Sequence, residues 1–235
     1  MKKQALFFFT GAGISAESGL QTFRDSIDGL WNNYHIEDVC TPEGWERNPS
    51  QVLDFYNQRR KQCKEATPNK AHVLIADLEK YFDVTVVTQN VDDLHERAGS
   101  TKVLHLHGQL GLARSTVDDT LLYPVENDIL TGDYCEKNSQ LRPHIVWFGE
   151  ALDDEIINES IQLAMKSAVC VVIGTSLQVY PANLIPTFIP AKSKLIIIDP
   201  NEVEFEFERS IHFIRATAVE GMAILVDSLK KVAKS

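Results

Sequence analysis

Four short runs of apolar, mostly β-branched or aromatic residues, at 6–10, 84–88, 169–174 and 195–199, each pass directly into a polar or glycine-containing turn. An unbroken apolar run of that length, bounded by turns, is how a parallel strand buried on both faces reads. Between the runs the spacing becomes helical, with Ala71, Leu74, Ile75 and Leu78 repeating inside residues 69–81 and a second amphipathic stretch over 156–166. Strands alternating with helices predict an α/β fold built on a doubly wound parallel sheet, with ligands beyond the carboxyl ends of the strands. Two stretches break the alternation. Residues 31–67 contain one clear helix, starting from the cap Asn48 with Pro49 at the first helical position and Val52, Phe55, Tyr56 and Arg59 following in period. Residues 110–141 are polar, turn-rich and without a strong period. Together they predict a smaller inserted lobe, about 31–71 and 110–141, on a larger lobe of about 1–30, 72–109 and 142–235. With 235 residues, 44% of them apolar, the chain can bury one substantial core carrying such an insertion.

A formal charge of −10 argues against a general nucleic-acid binder and leaves basic protein substrates open. Cys40, Cys63, Cys135 and Cys170 show no close pairing, so a disulfide framework is not expected and a reducing, cytoplasmic setting is. The longest apolar runs, 5–9 and 169–173, are too short for a bilayer, and Met1-Lys2-Lys3 precedes no signal-type apolar segment; no membrane association is expected.

The first strand runs into Gly11-Ala12-Gly13-Ile14-Ser15-Ala16-Glu17-Ser18-Gly19, where glycines allow a sharp turn and close approach to a pyrophosphate at a helix N-terminus. A purely structural strand-to-helix loop reads the same way. Thr22-Phe23-Arg24-Asp25 then brings a ring and a cation to cover a ribose and phosphates, or else supplies ordinary packing and a surface charge. The run from Gly11 to Trp31 resembles the opening motif of the sirtuin family of NAD-dependent protein lysine deacylases. Four further segments agree in order: Thr88-Gln89-Asn90-Val91-Asp92-Asp93-Leu94-His95, Leu106-His107-Gly108, the nine residues from Arg142 to Glu150, and Gly174-Thr175-Ser176.

The resemblance implies a Rossmann-like NAD site, with NAD as co-substrate. Gly11, Ala12, Gly13, Ser15, Phe23, Arg24 and Trp31 would hold it from the first loop, and Gln89, Asn90 and Asp92 from the nicotinamide motif. Gly174, Thr175 and Ser176 would lie near the second ribose, with Asp199, Pro200, Asn201 and Ala216 around the adenosine. Asp199 departs from the asparagine more usual in the family, and its carboxylate suits two ribose hydroxyls. Asn90 and Asp92 could also simply cap the next helix. In the implied chemistry the acyl-lysine oxygen attacks the anomeric carbon as nicotinamide leaves. His107, read as an exposed strand-end imidazole, acts as general base with Asn90 beside it, and the products are free lysine and O-acyl-ADP-ribose. Val146 and Phe148 would bind substrate, residues 146–150 pairing as a strand with the acylated protein segment, while for one of Trp147 and Phe148 a core role and a tunnel role fit equally well.

Tyr56 and Arg59, three residues apart on one helix face, can converge on a carboxylate. The pair resembles the signature of class III sirtuins, which prefer succinyl-, malonyl- or glutaryl-lysine. The competing reading makes Arg59 and Arg60 a solvated basic turn, and Arg60 is expected at the surface in either case. Most sirtuins hold a structural zinc with two Cys-x-x-Cys pairs. Here Arg114-Ser115-Thr116 stands at the first and Cys135-Glu136-Lys137-Asn138 at the second, so no structural zinc is expected; packing through Leu121, Leu122, Tyr123 and Ile129 would hold the lobe instead. Mono-ADP-ribosyltransferase or NAD glycohydrolase activity, NAD sensing without turnover, and hydride transfer are the alternatives, in that order.

Overall fold

The computed structural model describes residues 3–20 and 34–232. A six-stranded sheet is ordered β3-β2-β1-β7-β8-β9, with every pairing parallel. Its strands are β1 (Ala5–Thr10), β2 (Asp83–Thr88), β3 (Val103–His105), β7 (Val169–Ile173), β8 (Lys194–Ile198) and β9 (His212–Ile214). Successive side chains of β1 enter opposite cores. Leu6 and Phe8 pack with Ile75, Leu78, Met222 and Leu225, while Phe7 and Phe9 pack with Val172, Ile185 and Ile197. Burial on both faces is why these strands are apolar throughout instead of alternating.

Helices α4 (Lys70–Leu78) and α7 (Ala218–Val232) contribute to the first core. Helix α6 (Asp154–Ala164) lies against the second, and begins two residues ahead of the expected stretch because the Asp153 carboxylate accepts from the Glu155 and Ile156 N–H groups. As expected, Asn48 with Pro49 starts α3 (Pro49–Glu65); Asn69 caps α4. Two short helices, α1 (Ile36–Val39) and α2 (Pro42–Arg47), precede α3, and α5 (Leu94–Arg97) follows β2.

The polar stretch after residue 107 is where structure and expectation part. It forms an antiparallel sheet ordered β5-β4-β6, from β4 (Gly108–Ser115), β5 (Leu122–Pro124) and β6 (Leu141–Ile145), with a register shift in β4 between Gly108 and Ala113. Of the four residues expected to pack this region, only Ile129 is fully buried, against Leu53 and Ala113; Leu122 is exposed and the Tyr123 hydroxyl donates to Glu136. The sheet is tied to α3 by polar side chains. Asn57 donates to the Ile129 carbonyl at 2.9 Å and accepts from its N–H at 3.0 Å, and Arg60 Nε donates to the Leu110 carbonyl at 2.8 Å. Arg60 is therefore buried, 3% exposed, and not the surface residue expected: β4 leaves an unpaired carbonyl beside α3, and a guanidinium with Asn57 beside it satisfies that carbonyl.

Candidate functional site

The sheet order reverses between β1 and β7, so the chain leaves those neighbouring strands in opposite directions and opens a crevice at their carboxyl ends. The floor of that crevice explains two of the glycines. Gly11 N–H donates to the Ile173 carbonyl at 3.0 Å and Gly13 N–H to the Gly174 carbonyl at 2.8 Å. A Cβ on Gly13 would lie 2.6 Å from Gly174 Cα, inside any tolerable contact. The glycines thus serve backbone-to-backbone packing between two loops. Among the described residues of this loop no α-helix begins: residues 12–14 and 16–18 form two 3-10 turns, Gly13 N–H is engaged by protein, and Gly19 closes the second turn at φ 85°.

Above the floor lies a polar cluster centred on Ser15, 2% exposed. Its hydroxyl donates to Asp92 Oδ2 at 3.0 Å and accepts from Asn90 Nδ2 at 3.1 Å. Asp92 Oδ1 accepts from the Leu94 N–H at 3.2 Å, so the carboxylate holds the turn into α5 while it also joins the Ser15 cluster. Burial pushes its carboxyl pKa up, against the Leu94 and Ser15 hydrogen bonds. The Asn90 main chain is pinned twice, its N–H donating to Thr88 Oγ1 at 3.0 Å and its carbonyl accepting from His105 Nδ1 at 2.9 Å. Burial pulls the His105 pKa down, but Glu96 at 2.7 Å from Nε2 outweighs it and the net shift is upward, so both ring nitrogens can donate.

His107 sits in the turn between β3 and β4, partly buried instead of exposed at a strand end. Its Nδ1 lies 2.9 Å from the Gln89 carbonyl, which can only accept, so Nδ1 carries the proton and the Nε2 lone pair is left to take one. Burial lowers its pKa, with the Gln89 carbonyl opposing. Thr175 Oγ1 donates to Gln89 Oε1 at 2.6 Å, joining the β2 and β7 loops, and Ser176 is partly buried beside it. Asp199, 9% exposed, ends β8 and accepts from the Asn201 N–H at 2.9 Å; Pro200 and Asn201 are exposed, Ala12 is partly buried, and Ala216 packs against the first core. Phe23, Arg24 and Trp31 lie outside the described residues.

Tyr56 and Arg59 share the α3 face nearest Cys40 and Trp147. Tyr56 is 5% exposed, its oxygen accepts from Trp147 Nε1 at 3.0 Å, and Cys40 Sγ is 3.5 Å away. Burial, then Cys40, raise the Tyr56 pKa, so it remains a neutral phenol. Burial lowers the Arg59 pKa, opposed first by Tyr56 and then by Cys40 and Asp92, which places both the phenol and the crevice carboxylate within electrostatic reach of its guanidinium. The strand expected over 146–150 is not formed. β6 ends at Ile145, Val146 N–H donates to the His107 carbonyl beside the Gly108–Ile145 pair, and residues 148–150 form a turn. In that turn Phe148 is 50% exposed, and its N–H donates to the Cys40 carbonyl. Trp147, 2% exposed, is the core member of the aromatic pair.

Sequence reasoning missed the partners that hold these groups: Ser15 as hub, Thr175 on Gln89, Glu96 on His105, and Cys40 and Trp147 on Tyr56. Of these, Ser15 and Thr175 stand in the sequence motifs as site residues; the Trp147–Tyr56 bond joins positions 91 apart and leaves no local pattern. In the small sheet Cys135 Sγ donates to Ser115 Oγ at 3.3 Å, and among the described residues no group of three or more His, Cys, Asp or Glu side chains is placed to hold a metal ion.

Known proteins share this architecture. A Sir2 homologue solved with NAD is 38% identical, with a TM-score of 0.88 over 98% of this chain and 91% of its own. A Sir2 solved with an inhibitor, 2′-O-acetyl-ADP-ribose and a deacetylated p53 peptide is 31% identical, with a TM-score of 0.79 over 96% and 94%. An NAD-dependent protein deacylase of Helicobacter pylori is 48% identical over 228 residues, 97% of this chain and 98% of the relative, and one of Bacteroides thetaiotaomicron is 47% identical over 97% of each. Residues 11–181 match the Sir2 family model, and the chain belongs to the Sir2 family.

Proposed function

We propose that this chain is an NAD-dependent protein lysine deacylase that removes succinyl and malonyl as well as acetyl groups, yielding nicotinamide, O-acyl-ADP-ribose and free lysine. The arrangement that carries the reading is His107, a neutral imidazole with Nε2 available, placed at the strand ends beside the Asn90–Ser15–Asp92 cluster. The residues present fit NAD: the crevice lies at the topological switch point, and a carboxylate ends β8 where a ribose diol would lie. When bound, NAD supplies the electrophilic anomeric carbon and the nicotinamide leaving group. Asn90 and Asp92, immobilised through Ser15, orient the carboxamide end, and His107 Nε2 takes the proton of a ribose hydroxyl. Tyr56 and Arg59 support the acidic preference, since a buried phenol and a desolvated guanidinium one helical turn apart suit a carboxylate better than a methyl group. Acylated proteins are the expected partners and the cytoplasm the expected setting, consistent with four buried free thiols. The reading includes no structural zinc, since Ser115 and Asn138 stand where thiolates would be needed; metal analysis of purified protein tests that directly.

Mass spectrometry of NAD reactions with one peptide carrying acetyl-, succinyl- or unmodified lysine tests the function. O-succinyl-ADP-ribose should form with the wild type and vanish with His107→Tyr. With Arg59→Met, succinyl turnover should fall about 30-fold, for roughly 2 kcal/mol at the lower end for a charged pair because Arg59 is only partly buried, and acetyl turnover should fall far less. Nicotinamide release with the acyl group intact, or ADP-ribose added to protein, would replace deacylation with glycohydrolase or transferase activity.

A further inference from the structure

A tyrosine hydroxyl has one proton and two lone pairs, and what its neighbours do with the lone pairs decides where the proton points. At Tyr56 one lone pair is taken by the Trp147 indole N–H at 3.0 Å, a group that can only donate. The Tyr56 proton must therefore point elsewhere, and among the described residues Cys40 Sγ, a weak acceptor, lies 3.5 Å away. An incoming carboxylate is a far stronger acceptor than a thiol, so the proton can be redirected to it at little cost. A hydroxyl whose oxygen already accepts is also a better donor through polarisation along the chain of bonds.

Trp147 is itself held rigidly. The Arg142 guanidinium lies 3.3 Å from its ring centroid, and its main-chain N–H donates to Glu150 Oε2 at 2.8 Å. Glu150 in turn accepts from Arg142 Nη1 at 2.7 Å and from Arg114 Nη2 at 3.0 Å. The indole is thus a fixed donor, built from the turn after β6, that sets the orientation of a phenol on α3. We infer that Trp147 is a specificity-determining positioning residue, which through its hydrogen bond to Tyr56 presents the phenolic proton to the carboxylate of an acidic acyl-lysine. The inference rests on the acidic acyl reading and adds a residue that acts through Tyr56.

The test is kcat and KM for matched succinyl- and acetyl-lysine peptides with Trp147→Phe, Tyr56→Phe and the double variant. Trp147→Phe keeps a ring beneath Arg142 and deletes the N–H. The succinyl-to-acetyl ratio of kcat/KM should fall about five-fold, the worth of one neutral hydrogen bond. Most of that change should appear in KM for the succinyl peptide, and the double variant should be no worse than Tyr56→Phe alone, because both act through one hydroxyl. If the phenylalanine leaves the protein poorly folded, benzothienylalanine at 147, which replaces the N–H with sulfur in a ring of nearly the same shape, carries the same expectation. An unchanged ratio in the Trp147 variants with a reduced ratio in Tyr56→Phe would overturn this inference and leave the acidic reading standing. Equal losses for both peptides would make Trp147 a structural residue only. An unchanged ratio in Tyr56→Phe would remove the phenol from acyl recognition and this inference with it.

Discussion

Replacing Glu150 by glutamine should be among the most destabilising single-atom changes in this protein. The carboxylate accepts from Arg142 Nη1 and Nη2 at 2.7 and 3.0 Å, from Arg114 Nη2 at 3.0 Å and from the Trp147 N–H at 2.8 Å. The side chains of Arg142, Arg114 and Glu150 are 9%, 14% and 19% exposed, so solvent screens them little. Glutamine keeps the shape but leaves two guanidinium groups without a counter-charge and turns an NH2 toward one of them. Breaking a buried pair costs about 3–5 kcal/mol, and the remaining exposure argues for the lower end, about 3 kcal/mol. At roughly 2–4 °C per kcal/mol for a chain of this size, Tm should drop by about 6–12 °C. The pH dependence has a definite sign. Burial alone would raise the Glu150 pKa, but the Arg142 and Trp147 hydrogen bonds more than offset it and the net shift is downward. A depressed folded pKa gives stability that is complete above the unfolded glutamate value of about 4.3 and is lost as pH falls through the folded value. Urea titrations of wild type and Glu150→Gln at neutral pH and below pH 4 measure both. A neutral-pH gap below about 1 kcal/mol, or a gap undiminished in acid, would refute the argument that the charge on Glu150 is what holds the cluster.

Two further predictions concern the crevice. Gly13→Ala should weaken NAD binding by titration calorimetry more than ten-fold, since the new Cβ forces the Gly13 and Gly174 backbones apart, whereas Gly111→Ala, with nothing within 4 Å, should bind as wild type. The His105–Glu96 pair should stabilise the fold at low pH and not at high pH. The raised His105 pKa gives stability that is complete below about 6.5 and lost as pH rises through the folded value, so Glu96→Gln should cost about 1 kcal/mol near pH 6 and progressively less above neutrality in urea titrations. That figure is small because the Glu96 side chain is 37% exposed.

The parts legible in the sequence are those whose physics is local. β1, β2, β7 and β8 read as apolar runs because each is buried on both faces, and Asn48 reads as a cap because the bond it makes lies three residues away. The three-residue strands β3 and β9 are too short to show a pattern. The antiparallel sheet was hidden by its shifted register and by strands that keep several polar or half-buried positions. Arg60 was misjudged because its partner, the Leu110 carbonyl, lies 50 positions along the chain. In the site, the motif residues were visible one by one. Their couplings, Ser15 to Asp92 across 77 positions and Thr175 to Gln89 across 86, belong to the folded chain alone.

The bonds from α3 to the neighbouring sheet have a consequence for how this protein can change. Asn57 and Arg60 grip main-chain atoms of Ile129 and Leu110, atoms that every residue type supplies as a carbonyl and almost every type as an N–H. The helix therefore reads the path of the chain and not its side chains. Substitutions along the sheet can accumulate without loosening the grip, so long as the path persists, while Asn57 and Arg60 have no such freedom. Sequence drift in this region should be lopsided, with a variable sheet beside a helix face fixed at two polar positions.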